Sequence, residues 1–519
     1  MSRGGEVETE GISQGGHSSS RQTVLPQMTV NGSRVAPGRY ALIRSLRLIF
    51  SFPSLLVVML LTVIFAVAHK GMADPDIWWH LRNAQYLMQH GQLPRYDLYS
   101  FTVAGHPWIN HEWLAEIPYY LAWRSGGFLG LKILELVLLS SIFMGLLYLC
   151  YRASSNFKAA VLASSFAVLL ASVSFGPRTI LFGYLFAVIL LLVLQRFQQQ
   201  GRGPLWLLPP LFCIWANTHG SWSLGIILFA IVFAAGLFKG KWGRVEAVPW
   251  SKAQLGKLTV TGAASVAALF VNPFGYHLVL YPLDLAFRQK LNISHVAEWI
   301  SVNFHDLRGK LVLLLILSLL VSALFRGSRW TLAELFLVLF GMYSGLTYIR
   351  FLFLLAIVAA PAVAKMLDFV PPYNRAIDKP VLNALLIVAM IAGLIHYRPT
   401  STGLQHAVEQ TYPAGAVAFL KSHPPDGPLL NFYLWGGYLI WNDRDVKVFV
   451  DSRVDIFEYG GVLQDYLDLL DLNQPERILD KYHIRYVLFP AGESLSYVLQ
   501  HDNRWKVNYH DQQSILFER

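Results

Sequence analysis

Apolar residues run almost without interruption for about 17 to 22 positions at a time, the length needed to cross the hydrocarbon core of a bilayer as a helix. The runs fall near 48–69, 128–150, 159–176, 179–197, 205–219, 221–238, 258–274, 310–325, 331–348, 351–367 and 380–397. They are continuous, with no alternation at period two, which argues against a β-barrel. The pattern predicts a polytopic α-helical membrane protein of about eleven transmembrane helices over residues 46–398. Beyond residue 398 the pattern changes. "GPLLNFY", "VKVFVDSR", "RYVLFP" and "WKVNYHDQQSILFER" read as strands, and "GGVLQDYLDLLDLNQPERILDKY" and "SLSYVLQ" as helices. Strand–helix alternation predicts a small C-terminal α/β domain over 399–519. Residues 1–45 are Gly/Ser-rich and polar, and read as a disordered tail.

One polar stretch interrupts the apolar runs early, at about 70–127. "DPD" places Asp74 and Asp76 directly after the first run. "IWWHLRNAQYLMQHG" then puts Ile77, Leu81, Ala84, Leu87 and Met88 at helical spacing, which predicts an amphipathic helix in the membrane interface with Trp78 and Trp79 at headgroup depth. An Asp ahead of a helix ordinarily accepts hydrogen bonds from the first free N–H groups, and Asp74 is better placed for that than Asp76. Capping leaves "HPWINHEWLAE" unexplained, with His106, His111, Glu112 and Glu116. His111-Glu112 is no zinc-protease motif, because Ala115 stands where HExxH requires its second histidine.

Charge supplies orientation. Only 14% of residues are charged against 54% hydrophobic, far fewer than the quarter or so usual in soluble domains. Arg34, Arg39, Arg44 and Arg47 precede the first run, and every second connection afterwards is basic, from Arg152 and Lys158 to Lys365, Arg375 and Lys379. By the positive-inside rule the amino terminus is cytoplasmic; with an odd number of spans, loop 70–127 and the C-terminal domain are extracytoplasmic. From Arg398 onward there are 11 basic and 16 acidic side chains, leaving 31 and 16 to the rest. That asymmetry follows topology and excludes a nucleic-acid footprint. Cys150 and Cys213 lie in apolar runs and define no disulfide framework.

On the same predicted face as loop 70–127, span ends carry Arg178, Asn217, Thr218, His219, Asn272, His277 and Arg350. A single arginine there is explained by snorkelling to headgroups. Polar groups on several connections of one face point to a shared cavity. Glu135 and Glu334 fall inside runs and read as structural; Trp206, Trp215 and Trp222 read as interfacial belt residues. No phosphate-binding glycine loop occurs and the cytoplasmic connections are short, so chemistry at the outer face must draw on a donor delivered through the lipid.

These features resemble the GT-C superfamily of integral-membrane glycosyltransferases, in the bacterial branch related to protein mannosyltransferases and lipid A aminoarabinose transferases. The resemblance is carried by "DPDIWWHLRNAQYLMQHGQLPRYDLYSFT" and "HPWINHEWLAE" in the first large loop, and covers most of 45–400 in architecture. A weaker resemblance ties "LLNFYLWGGYLIW" to the WWDYG segment of oligosaccharyltransferases, but Gly436 and Gly437 stand where that segment has its Asp. "VFVDSRVD" offers Asp451, Arg453 and Asp455, which serve equally as fold-stabilising groups. The resemblance implies transfer of a sugar from a polyprenyl-phosphate donor to an acceptor hydroxyl on a glycan, lipid or protein, at the outer face of the cytoplasmic membrane. It implies Asp76, or Asp74, as catalytic base, and Arg178 and Arg350 on the lipid phosphate. His111, Glu112 and His219 would orient base or acceptor. Some relatives bind a divalent metal through this loop, and Asp74 and Asp76 are hard oxygen ligands suited to Mg2+ or Mn2+. Two other readings stand beside this one: a multi-span transporter or lipid flippase, suggested by the Pro/Gly-broken runs "LLPPLFCIW" and "VNPFGYH", and a non-catalytic envelope assembly protein of the same fold.

Overall fold

The computed structural model describes residues 44–68, 72, 74–327 and 329–519. Most of the polar tail, with Arg34 and Arg39, lies outside the described residues. Residues 44–49 are helical and belong to a compact unit ending at Phe50; Ser51–Arg519 form a second.

Apolar sequence becomes helix in that second unit because only a helix satisfies every backbone group from within one segment. The helices are α1 (Phe52–Ala68), α2 (Asp76–His90), α3 (Trp113–Ser154), α4 (Phe157–Ala171), α5 (Ile180–Gln200), α6 (Leu208–Thr218), α7 (Trp222–Ala235) and α8 (Lys252–Ala268), followed by α9 (Tyr276–Arg288), α10 (Lys290–His295), α11 (Leu307–Val321), α12 (Leu332–Thr347), α13 (Leu352–Met366) and α14 (Pro380–His396). A helix occupies each of the eleven apolar runs. Among the described residues five stretches are long and apolar enough to span a membrane: Trp113–Ser154, Phe157–Ser174, Ile180–Gln200, Leu307–Arg326 and Ile349–Met366. Helix α14 and Ser401–Glu409 make a sixth if counted together across their 54° bend. Helices α1, α7, α12 and the stretch Leu205–Thr218 are apolar but shorter.

Local chemistry sets the ends. The run expected at 258–274 is a helix six residues earlier, because a Ser251/Gln254 capping box starts α8 at Lys252. Helix α2 stops at Gly91, whose φ of 67° is the left-handed conformation that ends helices. Helix α3 breaks at Gly127 (φ 55°, ψ −134°), which separates a surface arm, 113–126, from the apolar span that follows. Inside that span Lys132 Nζ donates to Glu135 at 2.7 Å and to the Ala68 carbonyl at 2.9 Å. Glu334 likewise pairs with Lys365 at 2.8 Å. Each carboxylate inside an apolar run thus has a lysine partner.

Two tryptophan expectations fail. Trp78 and Trp79 are buried, Trp78 edge-on to Trp123, Phe128, Tyr412 and Tyr438, so neither lies among headgroups. Trp215 and Trp222 are buried as well, Trp215 donating to the Ser221 hydroxyl at 3.0 Å; of the belt trio only Trp206 is exposed.

The C-terminal part folds as short helices on a four-stranded sheet of β4 (Leu429–Asn431), β5 (Tyr486–Pro490), β6 (Lys506–His510) and β7 (Ser514–Glu518), in the order β4-β5-β7-β6. Strands β4 and β5 are parallel, with Leu430 beside Val487; the other pairs are antiparallel. (β1 to β3, Gly240–Trp242, Val245–Ala247 and Trp330–Thr331, make a separate small sheet.) The strand expected at 446–453 is absent from the sheet. Its backbone is satisfied elsewhere: Val448 exchanges hydrogen bonds with Tyr99 and Phe101 of loop 70–127, both at 3.1 Å, and the Asn431 amide pairs with Phe449 N–H and the Val450 carbonyl, each at 2.8 Å. A side-chain amide replaces a strand edge, and the freed segment knits the C-terminal part to the loop.

Candidate active site

Asp74 precedes α2, and its Oδ1 accepts the Asp76 backbone N–H at 2.9 Å, a donor that the helix itself leaves free. Its Oδ2 accepts Nε–H of Arg178, whose Nη2 pairs with Glu298. The chain Asp74–Arg178–Glu298 therefore joins the first loop, the α4–α5 connection and the long connection after α8. The Asp74 charge is spent on a guanidinium and a helix terminus. Among the described residues Asp76 has no ion pair with an arginine or lysine. Burial and the neighbouring Asp74 carboxylate raise its pKa to about 7, against the opposing pull of His80. It keeps an edge open to solvent.

One turn along α2, His80 lies between two carboxylates of the "HEWLAE" arm. Its Nδ1 is 3.0 Å from Glu116 and its Nε2 is 3.3 Å from Glu112. With acceptors on both nitrogens the ring is an imidazolium. Burial alone would lower its pKa, but the Glu116 hydrogen bond and the Glu112 charge lift it to about 8. Glu116, fully buried, also accepts from Asn83 and Asn110; burial raises its pKa against these contacts. Glu112 is a hub. Burial opposes its charge, yet His111, His219, His80 and the Thr179 hydroxyl converge on it and hold its carboxyl down at about 2. His219 donates from Nε2 to Glu112 at 3.1 Å, because its Nδ1 accepts the Ser221 backbone N–H at 2.9 Å. That fixes a neutral tautomer, and burial, with His111 and Arg350 nearby, takes the pKa down to about 3. His111 stacks on Tyr281 of α9 at 4.3 Å, and Tyr281 hydrogen-bonds Asp455, whose burial raises its carboxyl to about 7.

Arg350, between α12 and α13, lies 4.3 Å over the Trp299 ring, and its carbonyl accepts the Tyr184 hydroxyl at 3.0 Å. Among the described residues its guanidinium has no hydrogen bond or ion pair, although its charge is felt by Glu298 and His219. It is a cation held by an aromatic face with its donors unspent.

The structure thus gathers Asp74, Asp76, Arg178, Glu112, His111 and His219 into one contiguous network, with Arg350 beside it. Asn217, Thr218 and Asn272 make no contact with these charged groups: Asn217 donates to the Cys213 and Val271 carbonyls and accepts the Trp113 indole N–H, Asn272 donates to the Leu269 and Gly275 carbonyls, and Thr218 to the Ile214 carbonyl. His277 and His106 face away, His277 in solvent and His106 bonded to its neighbour Pro107. Sequence reasoning passed over His80, Glu298 and Ser452. The four-residue spacing of Asp76 and His80 on one helix is a signal that could have found His80; nothing comparable marks the other two.

A divalent cation between Asp74 and Asp76 does not fit these residues. Both Asp74 oxygens already accept N–H groups, one from an arginine, and Asp76 Oδ1 accepts the Trp79 indole N–H at 3.3 Å. No three His, Cys, Asp or Glu side chains form a metal-holding group among the described residues.

No protein-family model matches the chain, and no curated protein matches it by sequence. Among solved structures it is similar to the crystal structure of the Archaeoglobus fulgidus oligosaccharyltransferase tethered by a disulfide to an acceptor peptide with an NVT sequon, at a TM-score of 0.51 and 12% identity, over 84% of this chain and 68% of that one. It is also similar to ArnT from Cupriavidus metallidurans bound to undecaprenyl phosphate, at a TM-score of 0.49 and 13% identity, over 89% of this chain and 97% of that one. The chain thus shares the overall fold of that oligosaccharyltransferase.

Proposed function

We propose that this GT-C-fold chain is a membrane glycosyltransferase that moves a sugar from a polyprenyl-phosphate-linked donor to an acceptor hydroxyl at the outer face of the cytoplasmic membrane, with about eleven spans and an extracytoplasmic C-terminal part. The observation that carries the reading is the division of labour between two neighbouring aspartates. Asp74 is neutralised by Arg178, while the Asp76 carboxyl, held by the Trp79 N–H but paired with no cation among the described residues, has a pKa near neutrality, the condition under which a general base works best. Asp76 takes the proton of the acceptor hydroxyl as its oxygen forms the bond to the anomeric carbon. The bond from that carbon to the phosphate oxygen breaks, and the polyprenyl phosphate leaves with the electron pair. The configuration inverts and no sugar–enzyme bond is formed.

Negative charge gathering on the leaving phosphate calls for preorganised cations in a site poor in water. Arg350 fills that role directly, its N–H donors being unspent, and Arg178 completes the positive end of the site. The neutral His219 tautomer and Glu112 orient the acceptor side. The fold shared with an oligosaccharyltransferase supports this reading at the level of reaction class. The test is turnover of polyprenyl-phosphate-linked monosaccharides in proteoliposomes, read as release of polyprenyl phosphate. If Asp76→Asn and Asp74→Asn both leave turnover intact, the mechanism is wrong. Labelling of single cysteines in loop 70–127 from outside the cell tests the orientation.

A further inference from the structure

We infer that Ser452, on the C-terminal part of the chain, is a positioning residue for the Asp76 carboxyl, so that residues 399–519 complete the reaction centre. The inference rests on the reading of Asp76 as base.

The geometry begins at the Trp79 indole. Its single N–H is shared between Asp76 Oδ1 at 3.3 Å and Ser452 Oγ at 3.0 Å. A hydroxyl that accepts from the indole has its own hydrogen left to donate, and the Asp76 carboxyl, which accepts from the same N–H, is the acceptor beside it. The shared indole N–H turns Asp76 Oδ1 toward the protein and sets the Ser452 hydroxyl beside it.

Ser452 is held there by its neighbours. Arg453 donates Nε–H and Nη2–H to the two oxygens of Asp451 at 2.8 and 2.6 Å, and Nη2–H again to Asp97 at 2.7 Å. The guanidinium lies within 5.1 Å of the Tyr99 ring and 4.9 Å of the Trp108 ring. All three charged groups are buried. Asp97, Tyr99 and Trp108 belong to loop 70–127, so this ion cluster pins the segment bearing Ser452 onto the loop bearing Asp76. A second pin lies at Gly437: a Cβ there would come within 2.5 Å of the Pro75 carbonyl, between the two aspartates. Only glycine lets the C-terminal backbone approach so closely.

A purely adhesive role would be met by Arg453 and Gly437 alone. A hydroxyl that shares an N–H donor with the Asp76 carboxyl is what an adhesive does not need. The experiment compares Ser452→Ala, Ser452→Thr and Asp76→Asn in the full chain, reconstituted in proteoliposomes with polyprenyl-phosphate-linked monosaccharides. The expected result is a fall in kcat of about tenfold or more for Ser452→Ala, the scale of one hydrogen bond to a charged group, with donor KM and Tm unchanged and kcat restored in Ser452→Thr. Wild-type kcat in Ser452→Ala, with Asp76→Asn inactive, overturns the inference and leaves the reading of Asp76 standing. Full activity in Asp76→Asn overturns that reading itself. A lowered Tm in Ser452→Ala with no rescue by Ser452→Thr assigns the residue to adhesion and also overturns the inference.

Discussion

Replacing Asp76 by asparagine should make the protein more stable while stopping its chemistry. The Asp76 carboxyl has a pKa raised from 3.8 to about 7, with burial as the first cause and the Asp74 charge as the second. An unfolded chain ionises this group near its ordinary value, whereas the folded chain keeps it protonated until about 7. Between those values the folded state binds more protons, so stability falls as pH rises, by about 1.4 kcal/mol per unit. Summed over about three units this reaches roughly 4 kcal/mol at pH 8. Against it stands the attraction of a negative charge for the start of α2, worth about 0.3–1 kcal/mol. Burial wins, and Asp76→Asn should be about 3 kcal/mol more stable than wild type at pH 8. The shape is close to conserved, because the asparagine carbonyl still accepts the Trp79 N–H. Thermal unfolding followed by tryptophan fluorescence in detergent should show the variant unfolding a few degrees higher at pH 8, with a gap that narrows at pH 5. In the same preparation, donor turnover should fall by about 10² to 10⁴, the usual weight of a general base. Loss of activity with no stability gain, or a gain that does not shrink with acid, would refute the claim that the fold holds this carboxyl at a cost.

Other perturbations probe the rest of the network. His80→Gln should remove about 2 kcal/mol of stability that wild type holds in full below pH 6.5 and loses as pH passes through about 8, since the folded histidine is the more basic one; pH-resolved unfolding of the two proteins checks this. Arg178→Ala leaves the buried Asp74 carboxylate without its cation and should cost about 3–5 kcal/mol, part of which the double variant Arg178→Ala/Asp74→Asn should recover in the same unfolding assay. Arg350→Ala breaks no ion pair, so Tm should hold, while binding of a polyprenyl-phosphate-linked donor weakens about tenfold or more; a donor titration decides it. Gly437→Ala forces the Pro75 carbonyl aside and should lower both Tm and turnover, with the turnover loss surviving at temperatures where the variant is fully folded.

Much of the site was legible because it is a local pattern. Asp74 and Asp76 stand out as a pair of carboxylates two residues apart just after the first span, and Arg178, His219 and Arg350 as polar groups at span ends on one predicted face. What stayed hidden depends on contacts across long stretches of chain. Glu298 sits in a connection with no periodicity and gains its role only from Arg178. Ser452 is one serine among many until the Arg453–Asp97–Asp451 cluster lays it on Asp76. The tryptophans misled for a related reason: a hydrophobic ring beside a span suits a headgroup layer as well as a protein interior, and only the C-terminal part, folding over α2, decided between them.

By itself the sequence determined the helical runs and the helix ends, because bilayer thickness, capping residues and left-handed glycines act within a few residues of where they stand. It also singled out the candidate residues of loop 70–127 and of the neighbouring run ends. Only the tertiary structure decided which aspartate is neutralised and which is free, that His80 is charged and His219 neutral, and that the segment 446–453 abandons the sheet to join the loop. Those outcomes turn on distances between side chains many residues apart, where a few ångströms separate a paired charge from an unpaired one.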